Sequence, residues 1–121
     1  MIQLDAYDRE AILATAARAH ELAIEALDWW YGHNDDRARW EREALRACRW
    51  CVDMSARTGA DGARVLRALD ALLERAELST ACAPDREPVT PARLHAHDRI
   101  VTARRAWASI REARVAGKRV A

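Results

Sequence analysis

Between Asp61 and Glu77, six apolar residues (Val65, Leu66, Leu69, Leu72, Leu73 and Ala76) recur at helical spacing, with Arg64, Arg67, Glu74 and Arg75 elsewhere around the turn. Such a period lines the aliphatic side chains along one stripe of a helix. A stripe this apolar has to be covered, so the segment is a core element and the rest of the chain must supply its cover. No stretch sustains the two-residue alternation of a half-buried strand. The cover is therefore helical, and the expected fold is all-α.

Capping and breaking residues divide the chain into four helices. Asp5 can cap a helix from about 6 to 31, on which Leu13, Ala16, Ala17, His20, Ile24, Leu27 and Tyr31 share a face and Gly32-His33-Asn34 ends the pattern. A second helix, from 35 to 57, starts at the short acceptors Asn34 to Asp36 and stops at Thr58-Gly59. Its expected apolar arc is Trp40, Ala44, Ala47, Cys48, Cys51, Val52, Met54 and Ser55. The opposite side carries Arg39, Arg42, Arg46, Arg49, Asp53 and Arg57, with Trp50 at its edge. The third helix, from 61 to 77, has Asp61 as its N-cap. All three prolines lie between Pro84 and Pro91, which marks 79–90 as the one long loop. Thr90-Pro91 then reads as an N-cap and a first-position proline, opening a fourth helix to about Val115, with a frayed tail at 116–121. The short link at 58–61 makes the second and third helices antiparallel neighbours, and the expectation is a single-domain, antiparallel four-helix bundle.

A chain of 121 residues buries roughly two thirds of the surface it exposes when unfolded, enough to fold without disulfides or a metal. Three cysteines and no N-terminal apolar segment point to free thiols and a cytoplasmic location. No apolar run approaches the roughly 18 to 20 residues of a membrane span, so no membrane association is expected.

The residues that draw the eye for chemistry do not add up to a catalytic site. Cys48 and Cys51 stand one turn apart, but zinc takes four ligands, and the only recruits are Cys82, His95 and His97, without a second close pair. Thioredoxin-type redox chemistry needs its first cysteine at a helix N-terminus, whereas Cys48 falls more than ten residues into its helix. Both thiols read as core filler. His20 lies in an apolar stripe without a nucleophile or a second histidine beside it, which suits a hydrogen-bonded core histidine. No catalytic residue, metal or cofactor is assigned, and the protein is expected not to be an enzyme.

Charge and aromatic placement say more. Residues 1–85 carry 11 basic and 16 acidic groups (−5), while 86–121 carry 9 and 3 (+6), a split concealed by the net charge of +1. Either the acidic body holds the basic helix within one fold, or that helix faces an external anion. On the fourth helix His97, Arg104 and Arg111 follow each other at seven-residue intervals between two narrow apolar strips. If covered, the arginines need carboxylates such as Glu21, Asp28 or Asp70, because an unpaired buried charge costs several kcal/mol. If bare, Arg104, Arg105, Arg111 and Arg114, with Arg93, Arg99, Lys118 and Arg119, could meet phosphates while Trp107 stacks on a base. A protein partner accounts for more of the oddities. Burying a tryptophan contributes roughly 5 kcal/mol by area, so one left at the edge of an arginine face forgoes a great deal. Trp50 with Arg46, Arg49 and Arg57, and Trp29 at the edge of the first helix, are the residues expected to bind a protein or a second copy of the chain. The leading expectation is a small interaction or regulatory protein, an accessory or inhibitor, and the alternative is a nucleic-acid-binding accessory protein using the fourth helix.

Overall fold

The structure, a computed structural model, describes residues 2–31, 36–81 and 91–115. Four helices make it up: α1 (Ala6–Tyr31), α2 (Asp36–Arg57), α3 (Gly62–Thr80) and α4 (Pro91–Val115). No strand occurs among the described residues. The fold is an all-α helical bundle.

Its helix ends follow local chemistry. The Asp5 carboxylate accepts from the Asp8 amide at 2.7 Å while the Asp5 amide donates back to the Asp8 carboxylate at 3.3 Å, a reciprocal box that starts α1. Gly59 takes φ +75° at the end of α2, and the Ala60 amide donates to the Ser55 carbonyl at 3.2 Å, the bond of a Schellman stop. Asp61 is the N-cap of α3, as expected, but its side chain makes no capping bond. The expected caps at Gly32 to Asp35 and at Thr90, the proline loop, Cys82 and the tail at 116–121 lie outside the described residues, and α3 runs three residues beyond its expected end at 77.

One of the elements holding the turn between α2 and α3 is not a helix. The Gly62 amide donates to the Ile2 carbonyl at 3.1 Å, and Ile2 itself is buried. A Cβ at Gly62 would overlap that carbonyl oxygen, so the close approach of the two backbones requires glycine. Arg9, on the first turn of α1, donates to the carbonyls of Ser55, Ala56 and Ala60 at 3.4, 3.1 and 2.8 Å. A guanidinium there serves carbonyls at the C-terminal, negative end of α2 and in the turn that follows it.

The α3 stripe is buried throughout, and it sits between α1 and α2, with α4 on its remaining side. Helices α1, α2 and α3 each pack extensively on the other two. α4 packs chiefly on α3 and touches α1 only lightly, and among the described residues it does not reach α2. The arrangement is thus a triangular core of three helices with a fourth laid on one flank.

Two stripes are turned relative to the sequence expectation. On α1 the buried line is Ile12, Ala16, Ala19, Ala23 and Leu27, leaving Leu13, Ala17, His20 and Ile24 at its margin. On α2 the buried residues are Ala38, Leu45, Val52 and Ala56, while Trp40, Ala47, Cys51 and Met54, all expected inside, are exposed. The cause lies in the flanking charges. With Leu45 and Val52 inward, Arg42 reaches Asp28 of α1 at 2.6 Å and Arg75 of α3 reaches Glu41 at 3.2 Å. Turning Trp40 inward would swing Leu45 into water and move both of those charged residues out of reach.

Candidate interaction surface

The rotation of α2 makes the expected core arc an outer surface. Trp40 is 70% exposed, Trp50 63% and Met54 42%. Between Trp40 and Met54 the line carries the small residues Ala44, Ala47 and Cys51, bordered on the Trp50 side by the exposed Glu43. Fourteen residues at about 1.5 Å per residue make this strip about 21 Å long. At its C-terminal end it opens into a groove of about 280 Å³ shared with α3, walled by Trp50 and Met54 on one side and Arg64 and Ala68 on the other.

The arginines around it differ in what they are free to do. Arg46 is exposed and pairs along its own helix with Glu43 at 3.2 Å. Arg49 is turned inward, its Nε 3.6 Å from Asp53 and a terminal nitrogen 3.2 Å from the Nδ1 of His20. Arg57, Arg64 and Arg67 are exposed and form no ion pair with any described residue. The side chain of Trp29 lies outside the described residues. Of the residues expected to bind a partner, Trp50 and Arg46 reach the outer face and Arg57 stands exposed at the end of the same helix. Arg49 is committed to the α1 side. Trp40, Met54, Arg64 and Arg67 were missed, the first two because their spacing matched a buried face as well as an exposed one.

Helix α4 presents a different picture. Arg104 meets three carboxylates of α3, Glu77 at 2.7 Å, Asp70 at 3.4 Å and Glu74 at 3.7 Å. Hydrogen bonding to Glu77 above all holds its proton more tightly than an ordinary guanidinium's. His97 Nδ1 lies 3.1 Å from the Thr80 hydroxyl, and Trp107 packs against the core with its indole N–H donating to Thr15 Oγ1 at 3.4 Å. The acidic body does therefore hold the basic helix at Arg104, through Asp70 among others. Arg105 is exposed and Arg111 half-buried, while the side chains of Arg93 and Arg114 are outside the described residues. Leu94 and Ile110, expected in the apolar strips, are exposed. On the α1 side, where the two helices barely meet, a groove of about 310 Å³ is left between Thr15, Arg18 and Leu22 of α1 and Arg99 and Ala103 of α4.

The two thiols of α2 have separate fates. Cys51 is exposed, contrary to its expected place in the core, and Cys48 is half-buried, its pKa raised by burial. Among the described residues no group of three or more His, Cys, Asp or Glu is placed to hold a metal ion. His20 lies at the α1–α2 contact, where burial first, and then the charges of Arg49 and Arg46, lower its pKa. No helix of the described chain is long and apolar enough to cross a membrane.

No protein-family model, curated protein or solved structure matches the chain. Function therefore has to be read from the surface itself.

Proposed function

We propose that the protein acts by binding another protein through the outer face of α2, without catalysing a reaction. The observation that carries this is the exposure of Trp40, Trp50 and Met54 on one face of a helix whose other face is fully used by the core. Two tryptophans in water represent several kcal/mol of unrealised burial, by the same area rule that holds the core together. A continuous apolar strip rimmed by arginines has the make-up of a binding hot spot, in which tryptophan and arginine supply most of the energy. The α4 alternative has less support. Arg104 is engaged by three carboxylates of the same chain, and Trp107 is half-buried against the core with its indole N–H turned to Thr15, which leaves less of the ring for a base to stack on.

The test is the double variant Trp50→Ala with Arg46→Ala. Both side chains are exposed, so helicity and melting temperature should stay at wild-type values. Recovery of the partner in pull-down, or a dimer seen in sedimentation, should fall at least tenfold. A double variant that assembles like the wild type would remove α2's outer face as the functional surface.

A further inference from the structure

We infer that the occupant of the α2–α3 groove is an acidic amphipathic helix of a partner protein. This rests on the proposed protein-binding role of α2 and adds the chemistry of what is bound. The strip gives the apolar half of the match. Small residues at Ala44, Ala47 and Cys51 let another backbone come close, and Trp40 at one end forms a raised wall about 15 Å along the helix from Trp50 and about 21 Å from Met54 at the other. That is the length of about four helical turns. The groove of about 280 Å³ beside Trp50 accepts an apolar anchor repeating at three- and four-residue spacing.

Charge gives the other half. Arg64 lines the groove, Arg67 stands one turn further along α3, and Arg57 one turn beyond Met54 on α2, all three exposed and without a carboxylate among the described residues. Asp61 is the one described acid on the turn between them, so these four residues sum to +2 (three arginines less one aspartate), and with Asp5, Asp8 and Arg9 at the docked start of α1 the end remains positive at +1 (four arginines less three aspartates).

A second copy of the chain does not answer that charge. If α2 lay antiparallel on its copy, the far end of the strip would meet the arginines, and there Asp36, Glu41 and Glu43 are outnumbered by Arg37, Arg39, Arg42 and Arg46, so a second copy brings no net negative charge. A nucleic-acid strand would satisfy the arginines but would lay phosphates along a floor of alanine and methionine. A helix with an apolar stripe and flanking carboxylates matches both halves.

The test uses the full chain and a displayed library of twenty-residue helices. Each has leucine fixed on one stripe, with the flanking positions drawn from Glu, Lys and Gln. Selection should enrich Glu at the flanks. The enriched helices should bind at least tenfold more weakly to Trp50→Ser and to Arg64→Glu with Arg67→Glu, both checked for wild-type helicity by circular dichroism. Lys-flanked helices should gain affinity for the Arg64→Glu, Arg67→Glu chain. Enrichment of Lys, indifference to the flanks, or equal binding to Trp50→Ser would overturn the inference. So would displacement of the helices from Trp50 by a single-stranded oligonucleotide, which would make phosphate the ligand. If no library member binds while Trp50→Ala with Arg46→Ala still dissolves an assembly of the chain, the acidic helix is wrong and the broader protein-binding role stands.

Discussion

Two residues, Gly62 and His20, carry constraints that their neighbours in sequence do not announce. At Gly62 the carbonyl of Ile2 fills the space where a Cβ would go. Gly62→Ala has to push the N-terminal segment away and loses the bond between the Gly62 amide and Ile2. The expected cost is about 2 kcal/mol, the usual scale for overpacking together with a lost hydrogen bond. Urea unfolding measures it, and a variant as stable as the wild type would mean that Ile2 is not docked there. His20 accepts at Nδ1 from a guanidinium, so it must be neutral there, with its proton on a buried Nε2 that has no partner among the described residues. Its folded-state pKa is lowered from the ordinary value of 6.5. The unfolded chain therefore binds the proton more readily, and stability is lost as pH falls below about 6.5 towards the lowered value, with the full contribution present above it. His20→Gln keeps an acceptor for Arg49 and does not titrate. Between pH 7.5 and 5.5 the melting temperature of the wild type should fall relative to that of His20→Gln, and a pH-independent difference would exclude His20 as the titrating group.

Among the elements, α4 stands apart. Among its described side chains the buried apolar contribution is Ala96 and Ile100, with Trp107 partly covered, whereas α3 is buried at nine positions. Arg104 has correspondingly more to do. Its single positive charge is shared among three carboxylates that line one side of α3, and without it the repulsion among Asp70, Glu74 and Glu77 beneath α4 goes unrelieved. These groups are partly solvated, so water and salt weaken the pairing, and Arg104→Ala should cost about 1 kcal/mol, the upper end for partly exposed pairs. The loss should be local. Amide hydrogen exchange should accelerate in α4 several-fold more than in α1, α2 or α3, because α4 opens without dismantling the triangular core. Uniform acceleration along all four helices would show that α4 is part of the same cooperative unit.

At the scale of the whole molecule, the order and type of the four helices were legible because periodicity and capping are local. Asp5, Gly59, Asp61 and Pro91 fall where the helices start and stop. Which face of a helix turns inward was legible only where one phase was apolar and the others charged, as on α3. On α2 two phases competed. One had the larger aromatic side chains, and the other had Leu45 and Val52 flanked by Arg42 and Glu41, whose partners, Asp28 and Arg75, lie on other helices. No local pattern contains that information. The same holds for Arg9, which reaches carbonyls more than forty-five residues away, and for Ile2. The surface named for binding was therefore found only in part: Trp50 and Arg46 could be read from the chain, while Trp40, Met54, Arg64 and Arg67 became visible only once the helices were placed.

The docking of Ile2 against Gly62 also decides where a reporter can be attached. Anything joined ahead of Ile2, a fluorophore, an affinity handle or a fused domain, emerges at the α2–α3 turn, at the same end of the bundle as Arg57 and Arg64. A handle placed there stands in the doorway of the groove it is meant to report on, and an acidic epitope tag would compete for those arginines directly. Helix α4 ends at that same end of the bundle, since it runs antiparallel to α3 with His97 beside Thr80 and Arg104 beside Asp70, but on a flank that among the described residues does not reach α2, so a handle after α4 starts further from the groove.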